Sequence, residues 1–196
     1  MHGLINRSIQ CFLRDTYGVN TWAAISEDAQ LGHDNFEAML IYEDAQSFAM
    51  LDAASAQLRK PQDALLEDLG TYLVSHPNRE ALRRLLRFGG ETFEEFLHSL
   101  DELQDRARLA VPEMDLPSIE VDEVTAGAFS VKCGPGMPGF GYVMVGVLRA
   151  MADDYGALVL LEHQGEIDGS DCIGVSLLEA AFAEGRSFDL AAKATQ

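Results

Sequence analysis

With 196 residues the chain has room for one domain, or one domain of two packed lobes, and for a core that hides roughly 70% of the unfolded surface from water. Lys and Arg number 14 against 32 Asp and Glu, a formal net charge of −18. Such a surface repels phosphate backbones and anionic headgroups, which sets nucleic acid and membrane surfaces aside as partners. The three cysteines, Cys11, Cys133 and Cys172, are an odd and widely spaced set, and none has the spacing of a zinc site or of a disulfide framework. Arg7, Arg14 and Asp15 interrupt the N-terminal apolar positions, so no signal peptide is read there, and no apolar run is long enough for a transmembrane helix. The expectation is a reduced, cytoplasmic protein.

Leu4, Ile5, Ile9, Phe12 and Leu13 fall at helical spacing over 3–16, with Gly18 placed to stop the helix. A short helix with Trp22 and Ile25 is expected over 20–27, less regular chain over 28–41, and a helix over 44–58. Pro61 suits the first turn of the next helix, which Pro77 breaks. A short basic helix follows over 79–87, carrying Arg79, Arg83, Arg84 and Arg87 and ended by Gly89-Gly90. Thr92 and Glu95 have capping-box spacing and predict one helix from 92 to about 110.

Beyond Pro112 and Pro117 the apolar period changes from helical to two. Strands are predicted at 119–121, 128–131, 157–161 and 172–178, with a turn at Gly165 to Gly169 and one long helix over 140–155 stopped by Gly156. The architecture is α+β: a helical N-terminal lobe (1–60), then a second lobe (61–192) with a small antiparallel sheet and one long crossing helix, in a single domain over 1–192 with a tail at 193–196.

No nucleophile elbow, P-loop, dinucleotide fingerprint or HExxH is present, so catalysis is not expected. The acidic residues Glu94, Glu95, Asp101, Glu102 and Asp105 read as a solvated face. The arginine stripe is the chain's one basic concentration, suited to nearby acids or to an anionic partner.

Several short motifs recur in order along the chain: Met1-His2-Gly3-Leu4-Ile5-Asn6, Tyr17-Gly18 with Trp22, Ile41-Tyr42-Glu43-Asp44, Leu69-Gly70, Leu100-Asp101-Glu102-Leu103, Pro112-Glu113-Met114, Leu116-Pro117 and Gly146. In joint order and spacing they resemble the haem-nitric oxide/oxygen binding (H-NOX) family, which includes the regulatory domain of soluble guanylate cyclase. The resemblance implies haem b, a diatomic gas such as nitric oxide as ligand, and a signalling partner acting in trans, such as a histidine kinase or a diguanylate cyclase.

It also implies a site, and there the chain departs from the pattern. Gln104 stands where the family carries its iron-ligating histidine, and a carboxamide is a poor iron ligand. The family's Tyr-x-Ser-x-Arg motif, which clamps the haem propionates, should precede the last helix. Residues 131–141, Val-Lys-Cys-Gly-Pro-Gly-Met-Pro-Gly-Phe-Gly, hold no Tyr, Ser or Arg, and Lys132 alone gives no bidentate clamp. Ile5 and Pro117 match positions that press on opposite sides of the porphyrin. Replacement ligands would come from His98, six residues and about 120° of helix from Gln104, from His2 on the distal side, or from Cys133 beside the missing clamp. The expectation is a sensor or regulatory domain that does not hold haem in the His-ligated way, its pocket taking another apolar ligand or being filled by side chains. The alternative is a gas sensor with a non-standard axial ligand.

Overall fold

The structure, a computed structural model, describes residues 1–188. The domain end expected at 192 and the tail at 193–196 lie outside the described residues. The helices are α1 (Gly3–Tyr17), α2 (Val19–Asp28), α3 (Asp44–Leu58), α4 (Gln62–Ser75), α5 (Glu80–Arg87), α6 (Phe93–His98), α7 (Leu103–Ala110) and α8 (Phe140–Tyr155). The strands are β1 (Ile119–Thr125), β2 (Ala128–Cys133), β3 (Leu158–Ile167) and β4 (Ser170–Glu179), in the order β1-β2-β4-β3 with every pairing antiparallel. All four strands run longer than their apolar patterns indicated, because solvated residues continue the ladders. No described helix is long and apolar enough to cross a membrane.

Gly18 ends α1 at φ 94°, its N–H donating to Arg14 O, and serves as the cap of α2. Asp168 (φ 53°) and Gly169 (φ 81°) form the two-residue turn between β3 and β4. Gly165, expected in that turn, sits instead at a register shift inside β3.

The helix expected over 92–110 is a correction. The capping box forms, Thr92 Oγ1 accepting from Glu95 N, but the helix narrows to a 3₁₀ turn at Ser99–Glu102 before α7 resumes. Tertiary bonds hold the break open: Asp101 Oδ1 accepts from Val121 N at 2.9 Å, and the Arg106 guanidinium donates to Ser99 O. The 120° rotation between His98 and Gln104, which assumed a continuous helix, therefore does not apply.

Two buried clusters divide the molecule. The distal one joins Ile9, Phe12 and Leu13 of α1 to Trp22, Met50, Leu65, Leu69 and Tyr72. The proximal one joins Phe96, Leu97 and Leu100 to the inner face of the sheet and to α8. Helix α4 feeds both, with Leu65 and Tyr72 in the first and Val74 in the second. It crosses α8 at Gly70 and Gly146: a Cβ on Gly70 would lie 2.0 Å from Val143 O, and one on Gly146 1.9 Å from Glu67 O. Only glycine allows that approach.

The basic stripe on α5 is spent internally. Arg83 Nε lies 2.8 Å and Arg87 Nε 3.7 Å from the carboxylate of Asp154, which is fully buried, and Arg84 pairs with Glu80.

Candidate functional site at the junction of the lobes

Gln104 is the second residue of α7, half-buried between buried Leu103 and Ala107. Its Nε2 donates to Leu116 O at 2.5 Å, so the amide grips the main chain one residue before buried Pro117. Together they fix the turn leading into β1. The structure thus brings Gln104 next to Pro117 through the bond to Leu116 O.

Ile5 lies apart from them. It is half-buried against the distal cluster, and among the described residues α1 and α7 share no substantial contact. His2 caps α1: its Nδ1 accepts from Leu4 N at 3.2 Å while its backbone bridges to Ile41. Its Nε2 is buried without a hydrogen-bond partner among the described residues. Because Nδ1 accepts, the neutral ring carries its proton on Nε2.

His98 is exposed at the end of α6, its ring edge-on to Phe129 at 5.7 Å. Cys133 is buried on the core face of β2. Burial pushes its thiol up to about 12, with Asp171 and Cys172 adding to the rise. Lys132 pairs with Asp122 at 2.8 Å.

The first turn of α8 touches both lobes. Phe140 and Met144 enter the proximal cluster, while Tyr142 and Val143 pack against the distal one. Asp171, at the start of β4 and opposite Cys133, accepts from Gly141 N with Oδ2 at 3.1 Å. A Cβ on Gly141 would meet the Asp171 side chain at 2.6 Å, so the glycine lets the carboxylate settle onto the helix end. His163 Nε2 lies 3.4 Å from Asp171 Oδ1, and the His163 ring stacks on Tyr142 with centroids 4.1 Å apart and planes 16° from parallel. His163 Nδ1 accepts from Gly165 N, and its Nε2 is buried without a hydrogen-bond partner among the described residues. Sequence reasoning missed Asp171, His163 and Tyr142 as a group. Three elements supply them and no spacing links them; the one local hint is a Gly in the second position of a helix.

A family model described as Haem-NO-binding (HNOB) matches residues 2–163. The chain belongs to the haem-NO-binding family. Among curated relatives of this H-NOX chain, soluble guanylate cyclase 89Db of Drosophila melanogaster is 24% identical over 183 residues, covering 91% of the chain and 27% of the relative. Soluble guanylate cyclase gcy-31 of Caenorhabditis elegans is 23% identical over 154 residues, covering 79% of the chain and 22% of the relative. The chain spans about a quarter of the length of these relatives. Among solved structures, the Fe(II) unliganded H-NOX protein from K. algicida superposes with a TM-score of 0.75 at 17% identity, covering 94% of this chain and all of that one. An oxygen-binding H-NOX domain related to soluble guanylate cyclases gives 0.70 at 15% identity, covering 95% of this chain and all of that one. These likenesses establish the fold, and the α+β reading with it.

A histidine-ligated haem asks an H-NOX chain for a basic nitrogen on the proximal side and for cationic or hydroxyl partners for two carboxylates. The residues present do not fit. The proximal candidate is a carboxamide committed to Leu116 O, and the first turn of α8 already carries the carboxylate of Asp171. A cleft of about 640 Å³ opens elsewhere, on the distal lobe between Arg14, Trp22, His33 and Asn35, and none of the sequence-predicted site residues lines it.

Proposed function

We propose that this H-NOX domain is a cytoplasmic regulatory domain that works without a histidine-ligated haem and signals through a protein partner. The observation that carries the reading is Gln104: its amide N–H is engaged by Leu116 O, and a carboxamide supplies no axial bond that a diatomic gas could break. A regulatory domain of this kind converts occupancy or shape at the lobe junction into a change at its surface, and the domain itself performs no chemistry. A histidine kinase or a diguanylate cyclase acting in trans is the class of effector that family analogy supplies, and a small apolar molecule or a diatomic gas is the class of ligand. The single domain is taken to run over residues 1–192.

One observation favours the second reading, a diatomic sensor with a non-standard ligand: the buried, unpartnered Nε2 of His2. For His2 to ligate through Nε2, the ring must move its proton to Nδ1 and give up the cap on Leu4 N.

The deciding measurement is an absorption spectrum of the purified protein before and after haemin and dithionite. The haem-free reading expects no sharp Soret band and no response to nitric oxide. A Soret band that shifts with nitric oxide would overturn it, and its loss in His2→Ala would move the assignment to the second reading.

A further inference from the structure

Large apolar side chains stand exposed singly over most of the surface, which is ordinary for a protein. One place differs. Met39, Leu40 and Ile41 are consecutive and each more than half exposed, the one such run of three among the described residues. The run lies on a turn that the chain anchors on both sides. Gly3 N donates to Leu40 O at 2.7 Å, and the backbone of Ile41 bridges to His2. Tyr42 N donates to Met1 O at 3.0 Å, and the N-terminal amine donates back to Tyr42 O at 2.8 Å. The Tyr42 ring stands edge-on to fully buried Phe36, with centroids 4.9 Å apart, and its hydroxyl accepts from Glu37 N at 2.7 Å. A Cβ on Gly3 would lie 2.1 Å from Glu37 O, so the turn sits main chain against main chain on the start of α1. Tyr42 turns inward and holds the turn, while its three neighbours are displayed to water on a fixed frame.

The rim of this display is acidic. Glu37 and Glu43 flank the run, both exposed and neither in an ion pair among the described residues, and Asp34 adds an exposed carboxylate three residues before Glu37. Two cations reach the segment among the described residues, and both are engaged: the N-terminal amine pairs with Asp44, and the Arg7 guanidinium donates to Phe36 O. An apolar centre with a charged rim is the anatomy of a protein interface.

We propose that the turn over residues 37–43 is a docking surface for a basic amphipathic segment of the effector protein, with Met39, Leu40 and Ile41 seating its apolar side chains and Glu37 and Glu43 pairing with Lys or Arg beside them. Charge selects this occupant. A second copy packed on the same face would bring Glu37 and Glu43 against themselves. The chain's own arginine stripe is held by Asp154 and Glu80. Anionic headgroups are repelled by the rim. The inference deepens the partner reading above and rests on it only in taking the effector to be a protein.

The probe is a fluorescein-labelled amphipathic peptide of about 18 residues, built from Lys and Leu at helical spacing and titrated with the full chain by fluorescence anisotropy. The wild type binds it saturably and does not bind the same peptide with Glu in place of Lys. Met39→Ser/Leu40→Ser/Ile41→Ser raises Kd about tenfold or more, as does Glu37→Gln/Glu43→Gln. Glu123→Gln/Glu166→Gln, which removes the same charge from exposed positions on the sheet, shifts Kd by less than about twofold. If the triple variant is unfolded by circular dichroism, the two glutamate pairs carry the comparison, since both leave every apolar side chain in place. The proposal is overturned by absence of saturable binding, by equal losses in the two glutamate pairs, or by a folded triple variant that binds as the wild type does. Dimerisation in sedimentation that the triple variant abolishes would assign the face to a second copy, and flotation with phosphatidylcholine vesicles that it abolishes would assign it to lipid; either also overturns it. The haemin titration is independent: a Soret band there sinks the haem-free reading and leaves this series untouched, while a failed peptide series removes the docking surface and leaves that reading standing.

Discussion

Cys133 lies on the core face of β2 with its thiol pushed up to about 12 by burial, by Asp171 and by Cys172. A thiol held protonated in the fold but ionising near pH 8.5–9 once unfolded contributes stability that is complete below about pH 9. Above that the unfolded chain sheds its proton first, and the contribution is lost as pH rises toward the folded value. Tyr155, also raised to about 12 by burial, adds to the same alkaline loss. Denaturant unfolding between pH 8 and 11 should show a falling limb that Cys133→Ala makes shallower; a limb of equal slope in the variant would remove Cys133 from the account. At this scale the flanking motifs single out Gln104 and Pro117, and the structure links the two through the bond from Gln104 to Leu116 O. The Asp171–His163–Tyr142 group was not legible, because nothing in a one-dimensional string says that the first turn of a helix and two strands of a sheet will converge on one carboxylate.

Among the elements, the strands were the most readable, since their period of two is printed in Ala128-Phe129-Ser130-Val131 and in Cys172 to Leu178. The break between α6 and α7 was invisible: Ser99 to Glu102 are ordinary helix residues, and the 3₁₀ turn is imposed by bonds to β1 and from Arg106. Pairing with nearby acids was one of two expectations for the arginine stripe, and the acid itself could not be read from sequence, because Asp154 stands at the far end of α8. The α4–α8 crossing carries the clearest prediction. A methyl on Gly70 would have to enter the main chain of α8 at 2.0 Å from a carbonyl oxygen, which no rotamer change relieves. Gly70→Ala should cost about 3 kcal/mol or more, a fall of roughly 6–12 °C in Tm. A melt within a degree of the wild type would mean that the helices separate there without penalty.

For the molecule as a whole, the formal charge of −18 sets the terms. From Asp15 to Leu58 the chain has no Lys or Arg at all, so this stretch of the distal lobe carries acids with no cation of its own in sequence. Self-repulsion of this kind weakens the compact state and is screened by salt. Raising sodium chloride from about 20 mM to 500 mM should therefore raise Tm, while a fall would show that the exposed ion pairs outweigh the repulsion. Fold class was legible at this scale because the change from helical to alternating period divides the chain near residue 118.

The Gly70–Gly146 crossing has one more consequence, for descent. Where two helices meet main chain to main chain, the spacing between them is set by atoms that every sequence shares, and side chains on either side can be exchanged without moving the frame. A lineage can then change most of its side chains and keep the workshop: at 15–17% identity the backbone still superposes on H-NOX proteins with TM-scores of 0.70–0.75.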